Sequence, residues 1–320
     1  MDRPAVDWQT RLGRRLKLRD LHILSAVVRF GSMAKAASQL AITQPAISQS
    51  IADLEAALDV RLLDRGPRGV QPTIYGETLL KRGTEAFDAL KQGVRDIEFL
   101  AETGSGEVWV GTSESYMSGG SLAAIIQKMS ERHPRIVVHV VEANTAAMEF
   151  REVRERKVDL MLGRISATVN DDGLAVEALF EEPMLVVAGS LHPLARKRNI
   201  ELAELAAESW ILSPPNTAVR DLVGGVFRAK GLQPPHFGVT TYSMQLRLQL
   251  LATGRYLSMV PRVALQFPAT RERLKVLPIE LPSTPRPVAV VTLKNRTLSP
   301  LAQTFIDHAR KAGGPYAGKR

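Results

Sequence analysis

The spacing of apolar residues predicts three consecutive helices near the start of the chain. The first covers 18–30, where leucine and valine recur at intervals of three and four residues and so share one helical face. Gly31 ends it, and Ser32 is a suitable N-cap for a second, alanine-rich helix at 33–40. Because small side chains let two helices cross closely, this pattern favours a helix-turn-helix.

A third helix is predicted to begin at Gln44, after the three-residue turn 41–43. Thr43 is its N-cap, and Pro45 suits a first turn, where its missing N–H is not needed. Apolar residues spaced by four, three and four positions predict the buried face of this helix, which consists of Ile47, Ile51, Leu54 and Leu58.

The next patterns predict a hairpin and then one long helix. Residues 59–73 carry three arginines among glycine and proline turn signals, which is typical of a short β-hairpin. An amphipathic helical pattern then runs over 74–102 and stops at the glycine- and serine-containing breaker 103–106. Helix, helix and hairpin in this order indicate a winged helix-turn-helix.

Beyond the breaker, short β-branched runs such as IVVHVVE and RPVAVVTL alternate with amphipathic helical patterns. This alternation predicts an α/β region with largely parallel strands. We therefore expect a basic arm (1–15), a winged helix-turn-helix domain (16–73, motif at about 33–52), a linker helix (74–102) and a C-terminal domain (103–320).

Composition narrows the class of protein. The 320 residues allow two or three domains, and a formal net charge of +9 favours a polyanionic partner, nucleic acid first and a membrane surface second. The absence of cysteine excludes disulfides, thiolate metal sites and cysteine nucleophiles. No apolar run approaches the roughly 18 residues of a membrane helix, and no signal-peptide pattern opens the chain. We expect a cytoplasmic protein without a membrane partner.

The exposed edge of the third helix carries short or amide-bearing side chains, namely Gln44, Pro45, Ser48, Gln49 and Ala52. Such a face fits a major groove, because glutamine can pair with adenine through two hydrogen bonds and proline or alanine can contact a thymine methyl. The same face also fits a solvated polar surface. The arginines of the following hairpin favour DNA, since a basic wing can reach phosphates or the minor groove.

Residues 16–73 resemble the DNA-binding domain of LysR-type regulators. The resemblance rests on FGSMAKAASQL, TQPAISQSIADLE and LDVRLLDRGPRGVQPT, with Gly76 just beyond. It implies that Ser32 and Thr43 contact phosphates. It further implies that Gln44, Pro45, Ser48 and Gln49 approach bases, and that the wing arginines Arg65 and Arg68 reach the flanking groove. The chain departs from the family at Gln49, where arginine is common, and at Leu63, which replaces phenylalanine.

The long helix presents an apolar seam that repeats over three heptads and includes Phe87, Leu90, Val94 and Ile97. A helix of this length runs about 42 Å, at 1.5 Å per residue, and is too long for one small domain to cover. The seam therefore predicts pairing with a second copy of the chain, and the resemblance implies the same. Packing against its own C-terminal domain is the alternative.

From about 107 onward the chain resembles, more loosely, the effector domain of the same family, on landmarks such as LMLGR and LLATGRYLSMVPR. That resemblance implies a fold like periplasmic binding proteins, with two α/β lobes and a ligand in the cleft between them. We expect lobe I to cover 107–164 and 279–314, and lobe II to cover 165–278.

Candidate effector-binding residues follow from their positions at strand ends and helix starts, where hydroxyls and backbone N–H groups can meet an anion. Those predicted are Thr112, Ser113, Ser115, Thr145, Arg164, Ser213, Thr217 and Met244. For each hydroxyl, simple helix capping is the alternative, and Arg164 could instead be a structural pair at the hinge.

The six histidines form no HExxH motif, no G-x-S-x-G or GxGxxG motif occurs, and no catalytic set is evident. We therefore expect no enzyme, metal or cofactor, but a transcription regulator that binds operator DNA as a dimer or tetramer. Expected partners are RNA polymerase and a small effector: an organic or aromatic acid, a sugar or an amino acid. An architectural nucleoid protein and a solute-binding or enzymatic domain anchored to DNA are the alternatives.

Overall fold

In a computed structural model of the chain, the described residues are 16–67, 69–102, 105–117, 120–143, 150–165, 173–215, 217–266, 268–281 and 286–312. They form two compact units, and the boundary falls between Gly93 and Val94, inside the long helix. No helix within these ranges is long and apolar enough to cross a membrane.

The first unit is a helical domain with a small hairpin, and its first three helices begin at the predicted residues. They are helices α1 (Leu18–Phe30), α2 (Met33–Leu40) and α3 (Gln44–Leu58), strands β1 (Leu63–Gly66) and β2 (Gly69–Pro72), and the first part of helix α4 (Ile74–Ala101). Its core is apolar, with Leu24, Ile47, Ile51 and Leu54 fully buried.

Two tight turns set the angles between the first three helices. Gly31 ends α1 with a φ of +63°, and Ala41 ends α2 with a φ of +53°, both in the left-handed region. Ser32 and Thr43 then cap the next helices: Ser32 Oγ accepts from Lys35 N at 3.4 Å, and Thr43 Oγ1 accepts from Ala46 N at 3.4 Å. The predicted caps are confirmed.

The hairpin is tied to the helices through backbone atoms. Val70 N donates to Gly31 O at 3.0 Å, and a Cβ atom at Gly69 would lie 2.6 Å from the same oxygen, so this position needs glycine. On the other side, Glu55 Oε1 on α3 accepts from Leu62 N at 2.7 Å and from Leu63 N at 3.2 Å. The wing is therefore held by the same helix whose exposed edge is predicted to read bases.

The second unit contains two five-stranded sheets with helices packed on them. The strands are β3 (Ser105–Thr112), β4 (Arg135–Glu142), β5 (Leu160–Arg164), β6 (Leu174–Glu182), β7 (Met184–Gly189), β8 (Ser209–Leu212), β9 (His236–Thr240), β10 (Tyr256–Pro261), β11 (Leu274–Val276) and β12 (Arg286–Leu293). The helices after α4 are α5 (Glu114–Met117), α6 (Gly120–Arg132), α7 (Arg151–Arg154), α8 (Leu202–Ala206), α9 (Ala218–Ala229), α10 (Met244–Ala252), α11 (Pro268–Arg273) and α12 (Pro300–Ala312).

The strand order is β4-β3-β5-β12-β6 in the first sheet and β11-β7-β10-β8-β9 in the second. Within each sheet two neighbouring pairs are parallel and two are antiparallel. The expectation of largely parallel strands was therefore wrong. Strands β7 and β12, which follow the crossings between the two sheets, run opposite to their neighbours. A short apolar run in the sequence does not indicate the direction of its strand.

The predicted lobe boundary also needs correction. Strand β6 was assigned to lobe II, but it pairs with β12 along its whole length and so belongs to the first sheet. The chain passes to the second sheet only at Pro183, between β6 and β7, and returns to the first sheet with β12. The first lobe therefore extends to about residue 182, because an antiparallel edge strand follows β5 before the crossing.

Candidate functional site

The exposed edge of α3 is where the sequence predicts contact with bases. Gln44, Pro45 and Gln49 are exposed and Ser48 is half-buried. The edge also has a feature that the sequence analysis missed: Gln49 Nε2 donates to Asp53 Oδ1 at 2.8 Å, one helical turn further on. The i, i+4 spacing of these two residues could have revealed this contact.

A buried polar contact fixes the opposite side of α3. Ser50 Oγ donates to Asp20 Oδ1 on α1 at 2.6 Å, and Ser50 is buried. Neither residue stands out in the sequence, because a single serine on a helix follows no recognisable pattern. Since an unpaired buried hydroxyl is costly, this contact fixes the rotation of α3 about its axis and therefore the side chains that it exposes.

The wing and the segment before it carry exposed cations. Arg65 on β1 is exposed, as is Arg61 just before it. Arg68 lies outside the described residues. Helix α3 and the wing of one unit thus present uncharged groups and cations together, which is the combination that base contact and phosphate contact require.

The predicted seam along α4 divides into two parts. Its first part packs within the first unit: Gly83 faces Leu21, and the Phe87 ring meets His22 edge-on with 6.1 Å between ring centroids. Phe87 is therefore half-buried in its own domain.

The second part of the seam is uncovered in the single chain. Leu90, Val94 and Ile97 are 52%, 55% and 66% exposed, although all three are apolar. The end of α4 is fixed in the second unit by charge: Asp159, 3% exposed as a side chain, accepts from Arg95 Nη1 at 3.2 Å and lies 3.0 Å from Arg296 Nη2. This buried cluster could not be found from the sequence, because its members lie far apart in the chain.

Two of the predicted effector residues are engaged with the backbone. Thr112 at the end of β3 is fully buried and its Oγ1 donates to Leu162 O at 2.6 Å. Thr217 before α9 is also buried, and its Oγ1 donates to Pro214 O at 2.9 Å. Both hydroxyls thus stabilise a strand end and a loop here, which differs from the helix capping that the sequence left open as the alternative.

The other predicted effector residues are divided between described and undescribed parts of the chain. Ser113, Arg164 and Ser213 are half-buried. The side chain of Ser115 and all of Thr145 lie outside what the structure describes.

A buried carboxyl lies near Arg164. Burial raises the pKa of Glu182, and the positive charges of Arg164 and Arg262 act in the opposite direction with smaller effect. Glu182 Oε1 accepts from Val263 N at 2.8 Å, so this carboxyl joins the end of β6 to the segment that follows β10.

Met244 was predicted to offer an open helix start to an effector, and here the prediction needs correction. Met244 N donates to Glu114 Oε2 at 2.6 Å, and Glu114 Oε1 also accepts from Gln245 N at 3.3 Å and from Ser243 Oγ at 3.2 Å. Glu114 comes from the other sheet, so the start of α10 already holds a carboxylate. Spacing along the chain gives no sign of this contact across 130 residues.

Behind this contact lies a buried cation. Arg247 on α10 is 5% exposed and donates to Met259 O at 3.0 Å and to Thr241 O at 2.9 Å. Burial lowers the pKa of Arg247 to about 10, and the charge of Glu114 opposes this shift. Among the described residues there is no group of histidine and carboxylate side chains that could hold a metal ion.

The helix-turn-helix with its basic wing and the two-sheet domain together define a class of DNA-binding transcription regulator with a separate ligand-sensing domain. Residues 18–77 match the family described as bacterial regulatory helix-turn-helix protein, lysR family, and residues 101–314 match the LysR substrate binding domain. The chain belongs to the LysR family of transcriptional regulators.

Similar proteins that are named as transcriptional regulators support this assignment. The chain is 28% identical to the HTH-type transcriptional regulator GbpR of Azospirillum brasilense, over 94% of this chain and 88% of that protein. It is 27% identical to the uncharacterized regulator YdcI of Escherichia coli, over 93% of this chain and 96% of that protein. These relatives are named as regulators and not as enzymes.

Solved structures share the fold. The LysR-family regulator CbnR in complex with its target DNA has a TM-score of 0.62 at 21% identity, covering 93% of this chain and 100% of that one. A mutant of OxyR from Corynebacterium glutamicum has a TM-score of 0.56 at 22% identity, covering 94% and 92%. At these identities the likeness concerns the fold alone.

Proposed function

We propose that this LysR-family regulator binds its operator as a dimer, or as a tetramer built from dimers, paired through α4. The observation that carries the proposal is the row of exposed apolar side chains Leu90, Val94 and Ile97 on one helix. Exposed rows of this kind mark contact surfaces, and a second copy offers a matching row. Two reading domains would then meet two half-sites of the same operator.

Within each reading domain, the proposed base contacts come from Gln44, Pro45, Ser48 and Gln49. Ser32, Thr43, Arg65 and Arg68 are proposed to hold phosphates, the first two together with the backbone N–H groups of the helices that they cap. The exposure of the α3 edge beside the arginines of the wing supports this division of roles.

We further propose that a small effector binds between the two lobes and changes how the dimer contacts DNA. An organic or aromatic acid, a sugar or an amino acid suits such a cleft. We also propose that the protein acts in the cytoplasm, where its operator lies, and that it contacts RNA polymerase there.

Sedimentation and operator footprinting test the proposal together. The wild type should sediment as a dimer or larger, and Leu90→Glu should give a smaller species with weak operator binding, because a charge would be buried in the apolar contact. Lys91→Glu, one position away and outside the apolar row, is the matched control and should remain oligomeric. A wild type that stays monomeric at micromolar concentration contradicts the proposal.

The footprint separates this function from its alternatives. The protein should protect a defined site upstream of its own gene and leave random DNA unprotected, whereas an architectural protein would protect both. Metabolites that raise thermal stability are then tested for a shift in the footprint. A ligand at 100 times its dissociation constant should add about 2.7 kcal/mol of apparent stability.

A further inference from the structure

The contact between Glu114 and the start of α10 joins the two lobes of the second unit. Glu114 is the first residue of α5, directly after β3 in the first sheet, and α10 follows β9, the edge strand of the second sheet. The contact therefore connects the two lobes, between which the effector is proposed to bind.

Glu114 completes the hydrogen bonding of the start of α10. The first amides of a helix have no partner inside the helix and must find an acceptor elsewhere. Glu114 accepts from the amides of Met244 and Gln245, while Ser243 Oγ accepts from Leu246 N at 3.2 Å. All three amides thus have acceptors, and the acceptor at the first two is a negative charge, which the helix dipole favours at this end.

A second observation, the burial of a cation on the same helix, favours a negative charge at this point. The guanidinium of Arg247 lies one turn into α10 and is almost fully buried, and its two described hydrogen bonds both go to neutral carbonyl oxygens. A buried cation without a counter-charge is strongly unfavourable. Glu114 supplies a negative charge close enough to oppose the effect of burial on Arg247.

We infer that Glu114 is an internal ligand of the effector cleft: its carboxylate fills the position at the start of α10 that an anionic group of an effector would otherwise take, and it holds the two lobes together there. This inference rests on the proposed effector role of the cleft. Glu114 thereby determines charge selectivity, because an effector carboxylate can enter this end only by displacing it. Effectors that are uncharged at this end are favoured.

The inference is tested by hydrogen exchange at the start of α10 in the full-length protein. In Glu114→Ala, the protection factors of the Met244 and Gln245 amides should fall by about tenfold, because each loses a hydrogen bond to a charged group. Glu142→Ala is the matched control, since it removes a carboxylate from the end of the neighbouring strand β4 and should leave α10 unchanged.

Acetate then serves as a substitute for the missing carboxylate. Sodium acetate should restore protection at α10 in Glu114→Ala, and sodium chloride at the same ionic strength should not. Wild-type exchange should not respond to acetate, because Glu114 already occupies the position. Equal protection in wild type and Glu114→Ala, or an equal acetate response in both, would overturn the inference.

A second variant covers the case in which Glu114→Ala does not fold. Glu114→Gln keeps the size of the side chain and one oxygen acceptor but lacks the charge, so its α10 amides should exchange faster than in the wild type. Acetate should not restore their protection, because the glutamine side chain still fills the position. Equal exchange of these amides in Glu114→Gln and the wild type overturns the inference as well. This test can be separated from the test of the proposed effector role. If acetate restores protection but no metabolite alters the operator footprint, the inference about Glu114 stands and only the effector role is rejected.

Discussion

The side-chain amide of Gln49 donates a hydrogen bond of 2.8 Å to the carboxylate of Asp53, one turn further along α3. A glutamine amide has two N–H groups and one oxygen, so one N–H and the oxygen remain for a base. These are the groups with which glutamine pairs with adenine. Asp53 therefore fixes the direction of the amide while it adds a negative charge beside the edge of α3 that is proposed to face DNA.

Replacing Asp53 by alanine should change both affinity and selectivity. Overall affinity for DNA should rise, because a negative charge near the phosphates is removed. Preference at one base pair of the operator should fall by about 1 kcal/mol, since the Gln49 amide can then rotate. Binding to an operator library in which each position carries all four bases measures both effects.

Asp59→Asn is the control for charge alone. Asp59 lies at the other end of α3 with a φ of +54°, a conformation that asparagine tolerates. This variant should also bind DNA more tightly but keep the base preference. If Gln49→Ala changes the base preference and Asp53→Ala does not, Asp53 does not position the Gln49 amide. If neither variant changes the base preference, Gln49 does not contact a base.

Replacing Arg65 by alanine should weaken binding to all sequences by a similar factor. Arg65 is exposed on the wing, and a cation that neutralises one phosphate contributes through the release of counterions. The slope of log affinity against log salt should therefore decrease by about 1. A variant with an unchanged slope and an altered base preference would contradict the assignment of Arg65 to phosphate.

The local structure of the first unit could be predicted almost completely from the sequence. Apolar periodicity and capping residues act within a few positions, so the bounds of α1, α2 and α3 follow from patterns such as Gly31 before Ser32. The exposed edge of α3 followed for the same reason. The amide contact from Gln49 to Asp53 was also within reach, because it depends only on helical spacing.

The second unit could be predicted only in outline. Strands such as β4 and β12 were found as β-branched runs. Direction and partner depend on contacts between distant segments, so the residues that form β6 were placed in the wrong lobe. The carboxylate at the start of α10 shows the same limit, since Glu114 and Met244 are 130 residues apart. A helix start that is open by sequence can be filled by any acidic side chain that the fold brings there.

Replacing Asp159 by alanine should destabilise the second unit by about 3–5 kcal/mol, because it leaves Arg95 and Arg296 as buried cations without their shared counter-charge. Denaturant unfolding followed by tryptophan fluorescence measures the change. Asp307→Ala is the matched control: its pair with Arg310 is exposed on α12, so its loss should cost about 0.5 kcal/mol or less. An equal loss in free energy of unfolding for the two variants would show that the buried cluster does not stabilise the position of α4.

Replacing either of two glutamates on β6 by glutamine should change the stability of the protein, and the two changes should have opposite signs. The pKa of Glu182 is raised, chiefly by burial, so the protein loses stability as pH rises through that pKa and the carboxyl ionises. Glutamine keeps an oxygen that can accept from Val263 N. Glu182→Gln should therefore be more stable than the wild type at neutral pH, and the difference should shrink as the pH falls and disappear below about 4.3, the ordinary glutamate pKa.

Glu177 provides the opposite case on the same strand. Its pKa is lowered, first by the hydrogen bond from Arg310, so its contribution to stability is present at neutral pH and is lost as pH falls through the lowered pKa. Glu177→Gln should therefore be less stable than the wild type at neutral pH, by a small amount because the pair with Arg310 is exposed. Denaturant unfolding of both variants from about pH 3 to about pH 8 measures the two trends, because this range reaches below the ordinary glutamate pKa of about 4.3, where Glu177 becomes protonated. If Glu182→Gln instead loses stability at neutral pH, the attraction of Arg164 and Arg262 outweighs burial, and Glu182 joins the lobes as a charged residue.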